Sequence, residues 1–166
     1  MKTSELMSTS VATCSPDDTT QRAAQLMWEH DCGVVPVVDG QGHVVGMITD
    51  RDICMAAFTQ SRPLWEIPVS SAMARQITSV REDEGLDTAE ALMQRIQIRR
   101  LPVVDGDGHL KGILSLNDIA RHFHPGAGRK SDGLSSDVVI KTLAAICTPP
   151  VTASRTEPAT PSPLSS

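Results

Sequence analysis

The sequence predicts an α/β (α+β) protein built from two β-α-β-β-α units packed as one pseudo-twofold module. The first observation is a duplication. Val35-Pro36-Val37-Val38-Asp39-Gly40-Gln41-Gly42-His43 through Ile53 returns as Leu101-Pro102-Val103-Val104-Asp105-Gly106-Asp107-Gly108-His109 through Ile119, without a gap, at an offset of 66 and with about half the positions identical. The second is periodicity, because each copy alternates helix-spaced apolar residues with β-branched runs too short for a helix. The third is size. A unit of roughly fifty residues buries too little apolar surface alone, so the two are expected to stack their open sheet faces over a single core.

Repeat 1 spans residues 3–58. At the repeat offset Leu6-Met7 corresponds to Ala72-Met73, which assigns the chain start to this unit. Val11-Ala12-Thr13-Cys14 is a short β-prone piece, stopped by Ser15-Pro16-Asp17-Asp18. That cluster reads as a turn and a helix start, with proline near the first turn and acids at the positive end. Ala23, Ala24, Met27 and His30-Asp31 follow at helical spacing, and Gly33 ends the helix. Val34 to Val38 reads as a buried strand. Asp39-Gly40-Gln41-Gly42 is a hairpin turn with two glycines free to take positive φ. Val44 to Ile48 is the returning strand, and Thr49-Asp50-Arg51-Asp52 opens a second helix through Ile53, Met55, Ala56 and Ala57.

A connector over 59–71 is broken by Pro63 and Pro68, with Leu64, Trp65 and Ile67 apolar enough to cover an edge of the core. Repeat 2, over 72–123, repeats the pattern. Ile77 to Val80 is its short strand, and Leu86, Ala89, Leu92, Met93 and Ile96 form a helix face. Arg100 to Val104 and Leu110 to Leu114 make its hairpin, and Ser115 to Phe123 its closing helix. Residues 124–148 hold a glycine-rich link and a short helix capped by Ser136-Asp137, carrying Val139, Ile140, Leu143, Ala144, Ile146 and Cys147. Residues 149–166 are mostly Pro, Thr, Ser and Ala; they bury too little to offset their ordering entropy and are expected to be disordered.

Composition closes off several classes. Of 166 residues 40% are apolar but only 2% aromatic, so the core is built from Val, Ile, Leu, Met and Ala. Scarce aromatics, a net charge of −5 and a pI near 5.4 argue against nucleic-acid binding. No apolar run is long enough to span a membrane and no export signal is recognisable, which predicts a cytoplasmic address. Cys14, Cys32, Cys54 and Cys147 follow no C-x-x-C spacing and read as buried thiols acting as small hydrophobes in a reducing compartment. No Ser/His/Asp or Cys/His arrangement sits at a recognisable elbow, so no enzyme is predicted.

The chemistry lies where each hairpin turns into a helix, in Gly-apolar-apolar-Thr/Ser-x-x-Asp: Gly46 to Asp52 and Gly112 to Asp118. A carboxylate at a helix start can accept both hydroxyls of a ribose, and the Thr49 or Ser115 hydroxyl adds a contact. Gly46 or Gly112 would let a flat base approach the backbone. The same spacing is also a capping box that needs no ligand. Both readings hold together if Thr caps while Asp points outward.

These paired units, their Pro-Val-Val-Asp hairpins and their Gly-x-x-Thr/Ser-x-x-Asp endings resemble a tandem CBS-domain pair, or Bateman module, over roughly residues 3–123. The stretch Asp137 to Pro149, with Val139-Ile140-Lys141 and Ala145-Ile146-Cys147, further resembles stand-alone hypoxic-response-type CBS proteins. The resemblance implies a regulatory module that holds adenosine-containing ligands in two clefts between the units. One cleft would pair Val11, Cys32 and Val34 with Ile113, Ser115 and Asp118; the other would pair Ile77, Ile98 and Arg100 with Met47, Thr49 and Asp52.

Arg99 and Arg100 stand where repeat 1 has Gly33 and Val34, and Arg51 stands opposite Asn117. The Thr49/Asp52 cleft is therefore expected to prefer phosphorylated ligands, since arginine suits bidentate phosphate contacts. Asp50 weakens that field, and Arg99 and Arg100 could equally be solvated or form inter-unit salt bridges. No cofactor is required; AMP or ATP is the implied regulatory ligand, with NAD or S-adenosylmethionine as other candidates. A homodimer and an effector protein are the implied partners, because no effector domain is attached. The alternative is a ligand-independent interaction protein, or a redox- or metal-responsive stress protein, on the same scaffold. His122-Phe123-His124 could join a metal site with Cys14 and Cys32, but His-x-His at a helix end also places favourable charge at its negative terminus. His43 and His109 share one turn position, which fits turn chemistry better than ligation.

Overall fold

The two hairpins fold in the same register. In the computed structural model, which describes residues 1–122 and 136–147, α1 (Thr20–Glu29) precedes β1 (Val34–Val38) and β2 (Val44–Thr49), and α2 (Asp50–Gln60) follows. The connector carries α3 (Val69–Ala72). Repeat 2 then gives β3 (Val80–Arg81), α4 (Leu86–Ile96), β4 (Arg100–Val104), β5 (Leu110–Ser115) and α5 (Leu116–His122), and α6 (Ser136–Cys147) lies beyond it. Phe123, His124, the glycine-rich link and the expected disordered tail fall outside the described residues.

β1 pairs antiparallel with β2 from Val34↔Thr49 to Val37↔Gly46, and β4 with β5 from Arg100↔Ser115 to Val103↔Gly112. Every pair in one hairpin maps onto the other at the repeat offset, including a register shift before Val38 and before Val104. In each turn only the second glycine takes positive φ, Gly42 at 89° and Gly108 at 90°. Gly40 is therefore not used as the sequence suggested. The turns close instead on aspartate: Asp39 Oδ1 accepts from Gln41 N and His43 N at 2.9 Å, and Asp105 Oδ1 from Asp107 N and His109 N at 3.0 and 2.9 Å. The bound N–H groups hold both carboxyls below the usual carboxylate range.

The first strands are shorter than predicted. Val11 to Cys14 contributes one parallel bridge, Cys14↔Val37, and the Ile77-to-Val80 strand shrinks and shifts to Val80–Arg81. The cause is a commitment upstream. Ser8 exchanges backbone hydrogen bonds of 2.9 and 3.0 Å with Ile113 of repeat 2, and Ala74 exchanges bonds of 2.8 and 3.1 Å with Met47 of repeat 1. Each entering segment crosses to the other repeat and rejoins its own sheet late.

The same exchange corrects the assignment of the chain start. Leu6 and Met7 pack on the core of repeat 2, while Ala72 and Met73 pack on the core of repeat 1. Thr3 N donates to Glu84 O, and its counterpart Val69 N to Asp18 O. The core is accordingly two clusters rather than one. Val35, Val37, Ile48, Ala23 and Val69 are fully buried in the first, and Leu101, Val103, Leu114, Ala89 and Ile119 in the second. Each cluster is closed by the segment lent from the other repeat, so the two need not merge.

Local starts and stops differ in two places. α1 begins after a Thr19 cap whose hydroxyl accepts from Arg22 N, so Asp17 and Asp18 stay in the preceding turn. α1 ends at Glu29, and Asp31 rather than Gly33 adopts the left-handed conformation (φ 48°), as its counterpart Gln97 does (φ 55°). In the connector Ile67 is fully buried and Leu64 O accepts from the Thr20 hydroxyl at 2.9 Å, while Trp65 stays 65% exposed.

Candidate functional site

Each β-to-helix junction is a closed capping box. Thr49, at φ −110°, caps α2: its hydroxyl accepts from Asp52 N at 3.1 Å, and Asp52 Oδ2 accepts from Thr49 N at 2.9 Å and Thr49 Oγ1 at 2.7 Å. Ser115 and Asp118 repeat this at α5, with Ser115 N to Asp118 Oδ2 at 2.8 Å and Asp118 N to Ser115 Oγ at 3.2 Å. One oxygen of each carboxylate is thus committed. Asp118 Oδ1 also accepts from the Arg121 guanidinium, while Asp52 Oδ1 has no hydrogen-bond donor among the described residues.

Two clefts lie in the seam between the repeats. The first, of about 380 Å³, is lined by Val11, Cys32 and Val34 from repeat 1 and by Ile113, Ser115 and Asp118 from repeat 2. The six positions come from three separate stretches of the chain, around residues 11, 32–34 and 113–118. Arg100, Arg121, His30 and Asp31 add charge or polarity to its wall. The Asp118 side chain is 9% exposed against 75% for Arg121, so the carboxylate sits inside and its cation at the rim.

The second cleft, of about 350 Å³, is lined by Ile77, Ile98, Arg99 and Arg100 together with Met47 and Thr49. Asp52 and Arg51 are not among its lining residues, although Asp52 makes the same capping bonds as Asp118; Arg51 is exposed on the first turn of α2. This cleft therefore carries two arginines and no carboxylate in its wall, whereas the first holds Asp31 and Asp118 beside Arg100 and Arg121. Neither Arg99 nor Arg100 forms a salt bridge among the described residues.

The glycines of the motif have a different use from the one the sequence suggested. A Cβ on Gly112 would stand 2.7 Å from Ser8 O and 2.8 Å from Met7 Sδ, and one on Gly46 would stand 2.5 Å from Met73 Sδ and 3.2 Å from Ala74 O. The bare backbone admits the segment exchanged from the other repeat, not a base. Sequence reasoning also missed Arg121, although a basic residue three positions after a helix-start aspartate is a legible pairing signal. It missed His30 and Asp31 because nothing local says that the end of α1 faces repeat 2.

The histidine turns meet. His43 and His109 stack with ring centroids 4.4 Å apart and planes 20° from parallel, and Nδ1 of His43 lies 3.1 Å from Asp39 Oδ2. Asp105, Asp107 and His109 bring ligand-type atoms within 4.8 Å of one another, but the Asp105 carboxyl is already engaged by turn N–H groups. Of the four cysteines expected to be buried only Cys14 is, at the first core, and burial pushes its thiol up to about 11, with Asp18 adding to the effect. Cys32 is half-buried, and Cys54 and Cys147 are exposed because they lie on the outer faces of α2 and α6.

A family model described as the CBS domain matches residues 4–58 and again 69–125. The chain belongs to the CBS-domain family. It is 45% identical over 116 residues to the CBS domain-containing protein YhcV of Bacillus subtilis, covering 70% of this chain and 81% of that one. Among solved structures it is similar to the CBS domain pair of protein MJ0100 in complex with 5′-methylthioadenosine and S-adenosyl-L-methionine. That pair is 28% identical with a TM-score of 0.66, over 74% of this chain and 95% of that one. It is also similar to CBSX2 in complex with AMP (28%, TM-score 0.65, 73% and 94%). Hypoxic Response Protein I with two coordinated zinc ions is a further neighbour (29%, TM-score 0.68, 74% and 98%). The tandem CBS pair and the likeness to the hypoxic-response type are thus shown. No helix among the described residues is long and apolar enough to cross a membrane.

Proposed function

We propose that this CBS pair is a non-catalytic regulatory module that binds adenosine-containing ligands in the seam between its repeats. The observation that carries the reading is the first cleft, where a buried carboxylate and a hydroxyl from repeat 2 face apolar side chains from repeat 1. Such a wall offers acceptors for a sugar and flat apolar surface for a base. Relatives with bound AMP, S-adenosyl-L-methionine and 5′-methylthioadenosine support the ligand class. AMP or ATP fits the second cleft best, because Arg99 and Arg100 supply its charge with no opposing carboxylate in the wall.

The signal passes by rearrangement of a homodimer or by recruitment of an effector protein, and the chain acts in the cytoplasm. A ligand-free scaffold is the competing reading, favoured by capping boxes that are satisfied without any ligand. Isothermal titration of the full chain with AMP, ATP, NAD and S-adenosylmethionine separates the two. Saturable heat with at least one of them is expected; none with any would leave the scaffold.

A further inference from the structure

Repeat 2 is covered on its outside by α6, and among the described residues repeat 1 has no such cover. Gln94 Nε2 donates to Thr142 Oγ1 at 2.7 Å, Gln97 Nε2 donates to Ala145 O at 3.1 Å, and Ile146 packs on the second core. At the repeat offset Gln94 and Gln97 correspond to Trp28 and Asp31. There repeat 1 holds an open groove of about 460 Å³, lined by Ala24, Met27, Trp28, Asp31, Asp50 and Ile53. Trp28 is 88% exposed, and Phe58 (77%) and Met55 (47%) extend the bare apolar surface along α2. The groove thus lies where the fold seats a helix on its other half.

Among the described residues the outer side of α6 is equally bare. Ile140 is 63% exposed, Leu143 48%, and Cys147 is exposed with them at one-face helical spacing. Charge matches as well. Asp31 and Asp50 line the groove and Lys141 lies exposed on α6, and none of the three forms a salt bridge among the described residues.

We infer that the repeat 1 groove seats α6 of a second copy of this chain, through the Ile140–Leu143–Cys147 stripe and Lys141 facing Asp31 and Asp50. Each α6 is then held between its own repeat 2 and its partner's repeat 1. A twofold axis makes the contact twice and closes the assembly. This rests on the homodimer reading above and names the surface that makes it.

Sedimentation equilibrium of the full chain tests it. The wild type is expected to be a dimer. Trp28→Ser, Ile140→Ser and Lys141→Glu should each raise the dimer Kd by roughly tenfold or more. Trp28 and Ile140 are exposed, so unchanged circular dichroism is expected for both variants. Asp31→Lys combined with Lys141→Glu should recover to within about threefold of the wild type, which a merely structural loss would not do. A monomeric wild type would overturn both this contact and the dimer reading. A dimer indifferent to all three changes, or sensitive to Trp28→Ser alone, would overturn the α6 seat and leave the dimer standing. AMP titration of Trp28→Ser, Ile140→Ser and Lys141→Glu, none of which lines either cleft, is expected unchanged and keeps the ligand reading separate.

Discussion

Replacing Asp118 separates its two roles. Asp118 Oδ2 accepts from Ser115 N at 2.8 Å and from the Ser115 hydroxyl, so Asp118→Ala removes a capping-box partner at about 1 kcal/mol. For a chain of this size that lowers Tm by about 3 °C. If the carboxylate also takes two sugar hydroxyls, each charge-assisted bond is worth about 1.5–3 kcal/mol, and affinity should fall by at least about 100-fold. Asp118→Asn keeps an acceptor oxygen for Ser115 but loses the charge. It should leave Tm within about 1 °C of the wild type while weakening binding roughly tenfold. Either change also frees Arg121, whose guanidinium pairs with Asp118 Oδ1. A freed cation can attract the phosphate of AMP but has nothing to hold on adenosine, so the titration uses both ligands. A lower Tm for Asp118→Ala with the adenosine Kd shifted by less than about twofold would refute the sugar contact and leave the cap alone.

Three further outcomes follow from the packing. Gly112→Ala drives a Cβ to 2.7 Å from a backbone oxygen, whereas the nearest atom for Gly46→Ala is the movable Met73 sulfur, so urea denaturation should show Gly112→Ala the costlier by about 1–2 kcal/mol; equal costs would contradict the exchanged-segment packing. Glu90 is 2% exposed with Oε1 unpartnered among the described residues, and burial, aided by Asp87, raises its pKa above the ordinary 4.5. The folded chain therefore holds this proton more tightly than the unfolded one, and stability from this group grows as pH falls through the raised value and is complete below 4.5. Glu90→Gln should accordingly stabilise the protein at pH 7 by about 1 kcal/mol and make no difference near pH 4, as urea midpoints would show; a destabilised variant at pH 7 would refute this. With its thiol at about 11, Cys14 should escape iodoacetamide at pH 8 while exposed Cys54 is alkylated. Cys14 modified as fast as Cys54 in the native chain would contradict its burial.

What the sequence made legible was local or repeated. The hairpins could be read because Val-Pro-Val-Val-Asp-Gly fixes strand, turn and register within a few residues, and because a second copy confirmed each position. The cleft residues could be placed in two groups only through the family resemblance, since Val11 and Asp118 stand at opposite ends of the module in sequence. Exchange of the entering segments was not legible. Ser8 and Ala74 carry no signal that their backbone partners are Ile113 and Met47 rather than residues of their own repeat. That one non-local fact shortens the first strands, divides the core and reassigns Gly46 and Gly112. Asp52 shows the remaining gap: spacing gives a carboxylate at a helix start, but Asp52 and Asp118 make the same capping bonds and only Asp118 lines a cleft, so the local motif does not decide it.

The most direct measurement is a crystal structure of the full chain grown with AMP. Density for the ligand is expected in the seam, with its ribose hydroxyls within hydrogen-bond distance of the Asp118 carboxylate or its base beside Ile77 and Ile98. AMP ordered only on the outer face of α1 and α2, or an empty seam at saturating nucleotide, would contradict the account.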